Sequence, residues 1–267
     1  MITSFRMYNA TPEVAAAWKS LFGRVYANLG LSIDVIEHRW PQPIESLWEE
    51  PQLCGAFMCG WPFALSTSMQ PIAAPVPSPA HYEGLPRYRS EFLARAESGF
   101  ARLEDAFGHR IGWMARNSHS GFNAPRAHLA RCSSAERRRL FSESIGPLGN
   151  PAKALEALAD RTVDVIALDG YYLDLVRRHQ PGKLAEFRTI AVTDWSPIPL
   201  LVAAPAIDRG VVEELQAHLL GLHQDATSVD ELDAVLVKRF VRPDLSAYAK
   251  LDHLSRDAAA SGYPDIV

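Results

Sequence analysis

The chain has 267 residues, 48% of them hydrophobic and 22% charged, which is the composition of a globular protein with ample material for a core of one large or two ordinary domains. Its formal net charge is −4 and its 27 Lys and Arg residues are scattered, so the concentrated basic face of a nucleic-acid binder is missing. No run approaches the ~20 apolar residues that cross a bilayer.

The opening Met1-Ile2-Thr3-Ser4-Phe5-Arg6-Met7-Tyr8 has no basic stretch followed by a long apolar one, so no secretory signal is read here; the expected compartment is cytoplasmic as written, or periplasmic if the start is truncated. A short strand is expected over 5–8. Thr11 then caps a helix over 12–29, with Pro12 at its first position and Val14, Trp18, Leu21, Phe22 and Val25 on one face. A strand over 31–37 and a short helix over 43–49 follow. The continuous apolar run 53–58 suits a parallel strand covered on both sides. Cys54 and Cys59 in this region, with Cys132, show no metal-type spacing and read as buried free thiols.

The turn Gly60-Trp61-Pro62 precedes a strand over 69–76. Prolines at alternate positions in Ala74-Pro75-Val76-Pro77-Ser78-Pro79 then predict a stiff extended crossing. A second strand–helix series starts near residue 88: strand 88–95, helix 99–107, strand 110–115, helix 121–132, a short helix within 133–144, helix 151–160, strand 163–168, helix 169–178 and strand 187–192. The proline-rich Thr193-Asp194-Trp195-Ser196-Pro197-Ile198-Pro199 is a second crossing, followed by a strand at 200–204 and helices at 208–220 and 245–260. The alternation is that of an α/β protein. Two crossings imply two lobes, 1–79 with 194–267 and an inserted 80–193, and a ligand cleft where they join.

The stretch Asn117-Ser118-His119-Ser120-Gly121-Phe122 lies between a strand and a helix, where backbone N–H groups and the helix dipole favour an anion. Ser118 and Ser120 have two readings, helix cap or ligand contact; two hydroxyls with Gly121 exceed what a cap requires. His119 reads as a solvent-facing loop residue or a switch near neutral pH. Asp169 ends an apolar strand, where ligands of open α/β sheets gather, but aspartate also caps helices. A carboxylate there would suit a ligand with a cationic or donor end. Tyr171 and Tyr172 diverge by ~100° on a helix, so only one readily faces a cleft. Trp61 and Tyr8 read as stacking walls or as core, Arg89 as a surface ion-pair partner, and Glu136-Arg137-Arg138-Arg139 as a solvated helix face. Ser118 or Ser120, His119 and Asp169 supply the residue types of a hydrolytic triad, but neighbours in one turn do not aim at each other as a triad requires. No metal-ligand spacing, Gly-rich phosphate loop or Gly-x-Ser-x-Gly elbow is present, and no cofactor is called for.

Several motifs together resemble the phosphate/phosphite/phosphonate-type substrate-binding proteins of ABC transporters, which have the type 2 periplasmic-binding-protein fold. They are Arg6-Met7-Tyr8 with Pro12-Glu13, Cys59-Gly60-Trp61-Pro62, Tyr88-Arg89-Ser90, Gly108-His109-Arg110, the 117–121 turn, Val163-Asp164-Val165-Ile166-Ala167-Leu168-Asp169, and Thr193 with Pro197-Ile198-Pro199-Leu200. The resemblance implies two lobes, each a mixed sheet flanked by helices. It also implies an oxyanion-bearing ligand held by Ser118, His119, Ser120 and Gly121, walls at Tyr8 and Trp61, and polar contacts from Asp169 with Tyr171 or Tyr172. An ABC permease is the implied partner. The loop Gly146-Pro147-Leu148-Gly149-Asn150 departs from the family in lacking the histidine that aminophosphonate binders carry there. The alternatives are an enzyme of the same fold in cofactor-precursor metabolism and a ligand-sensing regulatory partner.

Overall fold

The computed structural model describes residues 1–267 except Thr67. In chain order the strands are β1 (Ile2–Ser4), β2 (Asp34–Val35), β3 (Leu53–Met58), β4 (Gln70–Pro77), β5 (Arg87–Tyr88), β6 (Ser90–Arg95), β7 (Arg110–Gly112), β8 (Glu143–Ile145), β9 (Val165–Asp169), β10 (Phe187–Val192), β11 (Ser196–Pro197), β12 (Leu200–Ala203) and β13 (Val237–Val241). The α-helices are α1 (Pro12–Asn28), α2 (Ile44–Trp48), α3 (Gly60–Leu65), α4 (Ala124–Ala130), α5 (Pro151–Ala159), α6 (Gly170–His179), α7 (Arg209–Gly221), α8 (Val229–Ala234) and α9 (Leu245–Ala260). By internal contacts the chain divides into Met1–Arg87 with Pro197–Leu245, and Tyr88–Ser196 with Ser246–Val267.

The first unit holds a six-stranded sheet of order β13-β4-β12-β3-β1-β2. β1 runs parallel to β2 and β3, whereas β12 is antiparallel to β3 and β4, and β13 to β4. The apolar run of β3 is buried throughout, as its sequence requires, but it is parallel to one neighbour only. Thr11 Oγ1 accepts from the Val14 N–H, and α1 lays Val14, Trp18, Leu21, Phe22 and Val25 on the sheet. Phe5, Trp18, Phe22 and Phe57 close this core with ring centroids 4.4–6.1 Å apart. The strand expected at 5–8 lies instead at Ile2–Ser4, and Arg6–Tyr8 form a short 3-10 turn.

The proline series is not a crossing. Pro75 and Pro77 sit inside β4, in register with Phe240 and Val237 of β13, a strand that the sequence pattern does not reveal. The chain passes between units near 87–88 and 196–197, and again at 245–246.

The second unit holds a mixed sheet of order β10-β6-β9-β7-β8, with β7 parallel to β8 and β9, and β6 antiparallel to β9 and β10. Leu93, Met114, Ala154, Leu158, Val163, Ile166, Leu168 and Leu173 form its core. At the edge of β9, Asp164 accepts from Arg95 and Arg110 at 2.9–3.2 Å. Residues 99–107 yield only a 3-10 turn, Leu103–Ala106, and 133–144 carry no helix; the run 136–139 is exposed, but on a loop.

The C-terminal stretch also departs from expectation. Ser246–Val267 belongs with the second unit, not the first. Side chains of α4 and its preceding turn hold it: Arg126 donates to the carbonyls of Ser255 and Pro264, and Asn123 Nδ2 to that of Leu251. Tyr263 and Ile266 are buried. Among the described residues, no helix is long and apolar enough to cross a membrane.

Candidate functional site

Loops beyond the C-terminal ends of parallel strands are where open α/β sheets collect ligand-binding groups. Each unit has such an edge.

In the second unit, β7 leads through 113–117 to a cap at Ser118 and a π-turn, His119–Asn123, that opens α4. Ser118 Oγ accepts from the Gly121 N–H at 3.0 Å, which is the capping reading. The first carbonyl of the turn, Ser118 O, receives the Asn123 N–H at 3.0 Å, and His119 O receives that of Ala124. The N–H groups of His119 and Ser120 are left with no acceptor among the described residues, as is the hydroxyl of Ser120. Gly121 is there for space: a Cβ would stand 2.3 Å from Met114 Cγ, and Gly121 O accepts from the Met114 N–H at 3.1 Å.

His119 is neither loop residue nor neutral-pH switch, because its ring is fully buried. Nδ1 lies 3.2 Å from Asn123 Nδ2 and Nε2 lies 2.9 Å from Ser196 Oγ. An amide NH₂ can only donate, so Nδ1 accepts, and the ring proton resides on Nε2 and goes to Ser196. Burial pushes its pKa down to about 3, so the ring is neutral and acts as a strut behind the turn.

β9, the parallel neighbour of β7, ends at Asp169. Asp169 Oδ1 accepts the N–H groups of Tyr171 and Tyr172 at 2.8 and 3.1 Å, so it caps α6. Both tyrosines are buried, and burial raises both phenols, Tyr172 to about 12. Opposite Asp169 in register stands Ser90, whose buried Oγ has no partner among the described residues. The Ser90 N–H donates to Thr193 Oγ1 at 2.9 Å. Ser90, Asn123, Thr193 and Ser196 were not singled out from sequence as site residues; Ser90 and Thr193 lie in the motifs that carry the family resemblance, and nothing local marks the other two. Arg89 stacks 4.8 Å over Trp195, and its charge also helps lower the pKa of Glu91.

In the first unit, Tyr8 follows β1 and Trp61 follows β3. Tyr8 is fully buried, with its ring 4.9 Å from that of Phe57. Trp61 Nε1 and Asn9 Oδ1 are enclosed with no partner among the described residues. Ser118, His119, Ser120, Gly121, Asp169 and Tyr171 thus gather at one edge of the second unit, and Tyr8 and Trp61 belong to the first. Among the described residues, no group of His, Cys, Asp or Glu is placed to hold a metal.

This fold is shared with several solved proteins. A binding-protein component of an ABC phosphonate transporter from Pseudomonas aeruginosa superposes with a TM-score of 0.81 at 15% identity, covering 98% of this chain and 87% of that one. PhnD1 from Prochlorococcus marinus, solved in complex with methylphosphonate, gives 0.77 at 15% identity with 97% of each chain covered. A protein from Xanthomonas citri bound to ATP gives 0.66 at 16%, covering 98% and 97%. A search of curated protein sequences finds no match. These likenesses place the chain among α/β proteins of the periplasmic-binding-protein fold. Within it, residues 11–248 match the family described as ABC transporter, phosphonate, periplasmic substrate-binding protein, and the chain belongs to that family.

Proposed function

We propose that this protein captures a small oxyanion-bearing solute, phosphonate- or phosphate-like, for delivery to an ABC permease, and performs no chemistry on it. The observation that carries the reading is the set of unspent donors at the π-turn: the N–H groups of His119 and Ser120 and the Ser120 hydroxyl. Hydrogen bonds from neutral donors to an oxyanion are charge-assisted and short. Family membership supports the role, and the methylphosphonate held by PhnD1 supports the ligand class. Against catalysis, His119 has both nitrogens committed, neither to a carboxylate.

Thermal-shift and calorimetric titration with methylphosphonate, phosphate, phosphite and a sulfonate test the proposal. A ligand at 100 times its Kd adds about 2.7 kcal/mol, worth roughly 5–10 °C in a chain of this size. Absence of any shift with all four would refute it.

A further inference from the structure

The first unit holds a cavity of about 520 Å³ between the start of β4, one face of α7 and the residue that follows β13. Strand register fixes which end of the sheet this is. Leu200 pairs with Met58 and Val202 with Ala56, so β12 ends where β3 begins. Gln70, the first residue of β4, pairs with Ala203, the last of β12. Tyr8 and Trp61 follow the opposite ends, the C-terminal ones of β1 and β3. The cavity therefore shares no residue with any group singled out above as a ligand contact.

Two glutamines pin its walls. Gln70 Nε2 donates to the carbonyls of Ala204 and Ile207 at 3.0 and 2.8 Å, which ties β4 to the segment before α7. Gln216 Nε2 donates to Ile72 O, so its amide oxygen is the atom turned to Arg242, and it accepts from Arg242 Nη1. Arg242 is thus aimed by a residue itself anchored to β4, and its Nε and Nη2 make no hydrogen bond among the described residues. On α7, Arg209 spends only Nε, on Glu213 Oε1 at 2.8 Å, and neither Nη has a partner among the described residues. Glu213 is the one acid among the described lining residues, so two guanidiniums outweigh it. Met69, Pro71 and Val212 complete the lining with apolar surface.

We propose that this cavity is a second binding site, for a small organic anion that sets a carboxylate on Arg242 and Arg209 and a hydrocarbon body on Met69, Pro71 and Val212. Its volume is that of a small-molecule pocket, and an unspent guanidinium edge matches a carboxylate in charge and shape. The site stands apart from the capture function, which belongs to donors of the second unit. Methionine-methyl labelling distinguishes the two, because Met69 lines the cavity and Met114 packs on Gly121 of the π-turn. 4-Phenylbutyrate is titrated while both methyl signals are followed by NMR, with Met69→Leu assigning the first. It shifts the Met69 signal saturably, with Kd on the order of 1 mM or tighter, and leaves Met114 in place. The uncharged 4-phenylbutyramide and inorganic phosphate, which lack the carboxylate and the hydrocarbon body respectively, bind about fivefold or more weaker. Arg242→Gln and Arg209→Gln, whose ligand-free melts confirm folding, each weaken phenylbutyrate by about fivefold or more. The proposal is overturned by an absent or unsaturable Met69 shift, by a shift of Met114 in its place, by amide or phosphate binding equal to that of the acid, or by affinity that survives either arginine substitution.

Discussion

The two serines of the 118–121 turn separate stability from binding. Ser118 Oγ holds the Gly121 N–H at 3.0 Å, and Ser120 Oγ holds nothing among the described residues. Ser118→Ala removes a cap, costing ~1 kcal/mol of stability, or about 2–4 °C in Tm. Its affinity for an oxyanion falls by less than about threefold, since that hydroxyl points into the turn's own bonding. Ser120→Ala leaves stability within about 0.5 kcal/mol. It removes one hydrogen bond to the ligand, ~1–2 kcal/mol, a loss of roughly five- to thirtyfold in Kd. Calorimetric titration with methylphosphonate, paired with ligand-free melts, reads both quantities on the same samples. The reasoning is refuted if Ser120→Ala binds within twofold of wild type, or if Ser118→Ala loses affinity without losing stability.

Three further outcomes test the framework of the second unit. The unfolded chain protonates His119 near pH 6.5, but burial keeps the folded ring neutral to about pH 3, so its contribution is flat above neutrality and falls as pH drops below 6.5. Between pH 7.5 and 5 that loss is on the order of 2 kcal/mol; urea melts of His119→Gln show a shallower acid-side decline, and equal slopes would count against the assignment. Burial raises the Asp164 carboxyl, but hydrogen bonds from Arg110 and Arg95 outweigh it and hold the pKa at about 2. The stabilisation is present above about pH 4 and lost as pH falls toward 2. Asp164→Asn therefore costs roughly 2 kcal/mol at pH 7 and little at pH 2, whereas an equal deficit at both values speaks against the ion pairs. Arg126→Ala releases the bonds to Ser255 and Pro264, lowering stability by about 3 kcal/mol and exposing Ser246–Val267 to limited proteolysis; an unchanged digestion pattern contradicts the anchoring role.

How far the fold was legible depends on whether its signals are local. Thr11 and Pro12 announce α1, and the structure starts that helix at Pro12. The β4 prolines misled because proline normally marks an edge or a break, while here β4 lies between β13 and β12. The ladders accommodate them by slipping. The register with β13 shifts between Val237 and Arg239, beside the partner of Pro77, and that with β12 shifts between Leu201 and Val202, beside the partner of Pro71. No property of residues 70–77 alone reveals those partners. The period of α9 gives a helix, yet the unit it joins is set by Arg126 and Asn123, more than a hundred positions earlier.

The candidate turn was legible as a strand-to-helix junction and not as an assignment of roles, because capping and ligand binding make the same chemical demand. A strand-to-helix turn must satisfy its first N–H groups, and Ser or Asp does so for a helix as readily as for an anion's neighbourhood. Ser118 Oγ and Asp169 Oδ1 accept capping bonds in the structure; the Ser120 hydroxyl does not. The difference comes from the π-turn. In an α-helix opening at residue 119, the Phe122 N–H would reach Ser118 O, but here Asn123, tied by its side chain to the His119 ring, takes that carbonyl. The Phe122 N–H thereby lacks the bond to Ser118 O that an ordinary helix start would give it. Hydrophobic periodicity carries no trace of that one-residue delay, which goes with a buried histidine bonded to Ser196, 77 positions later.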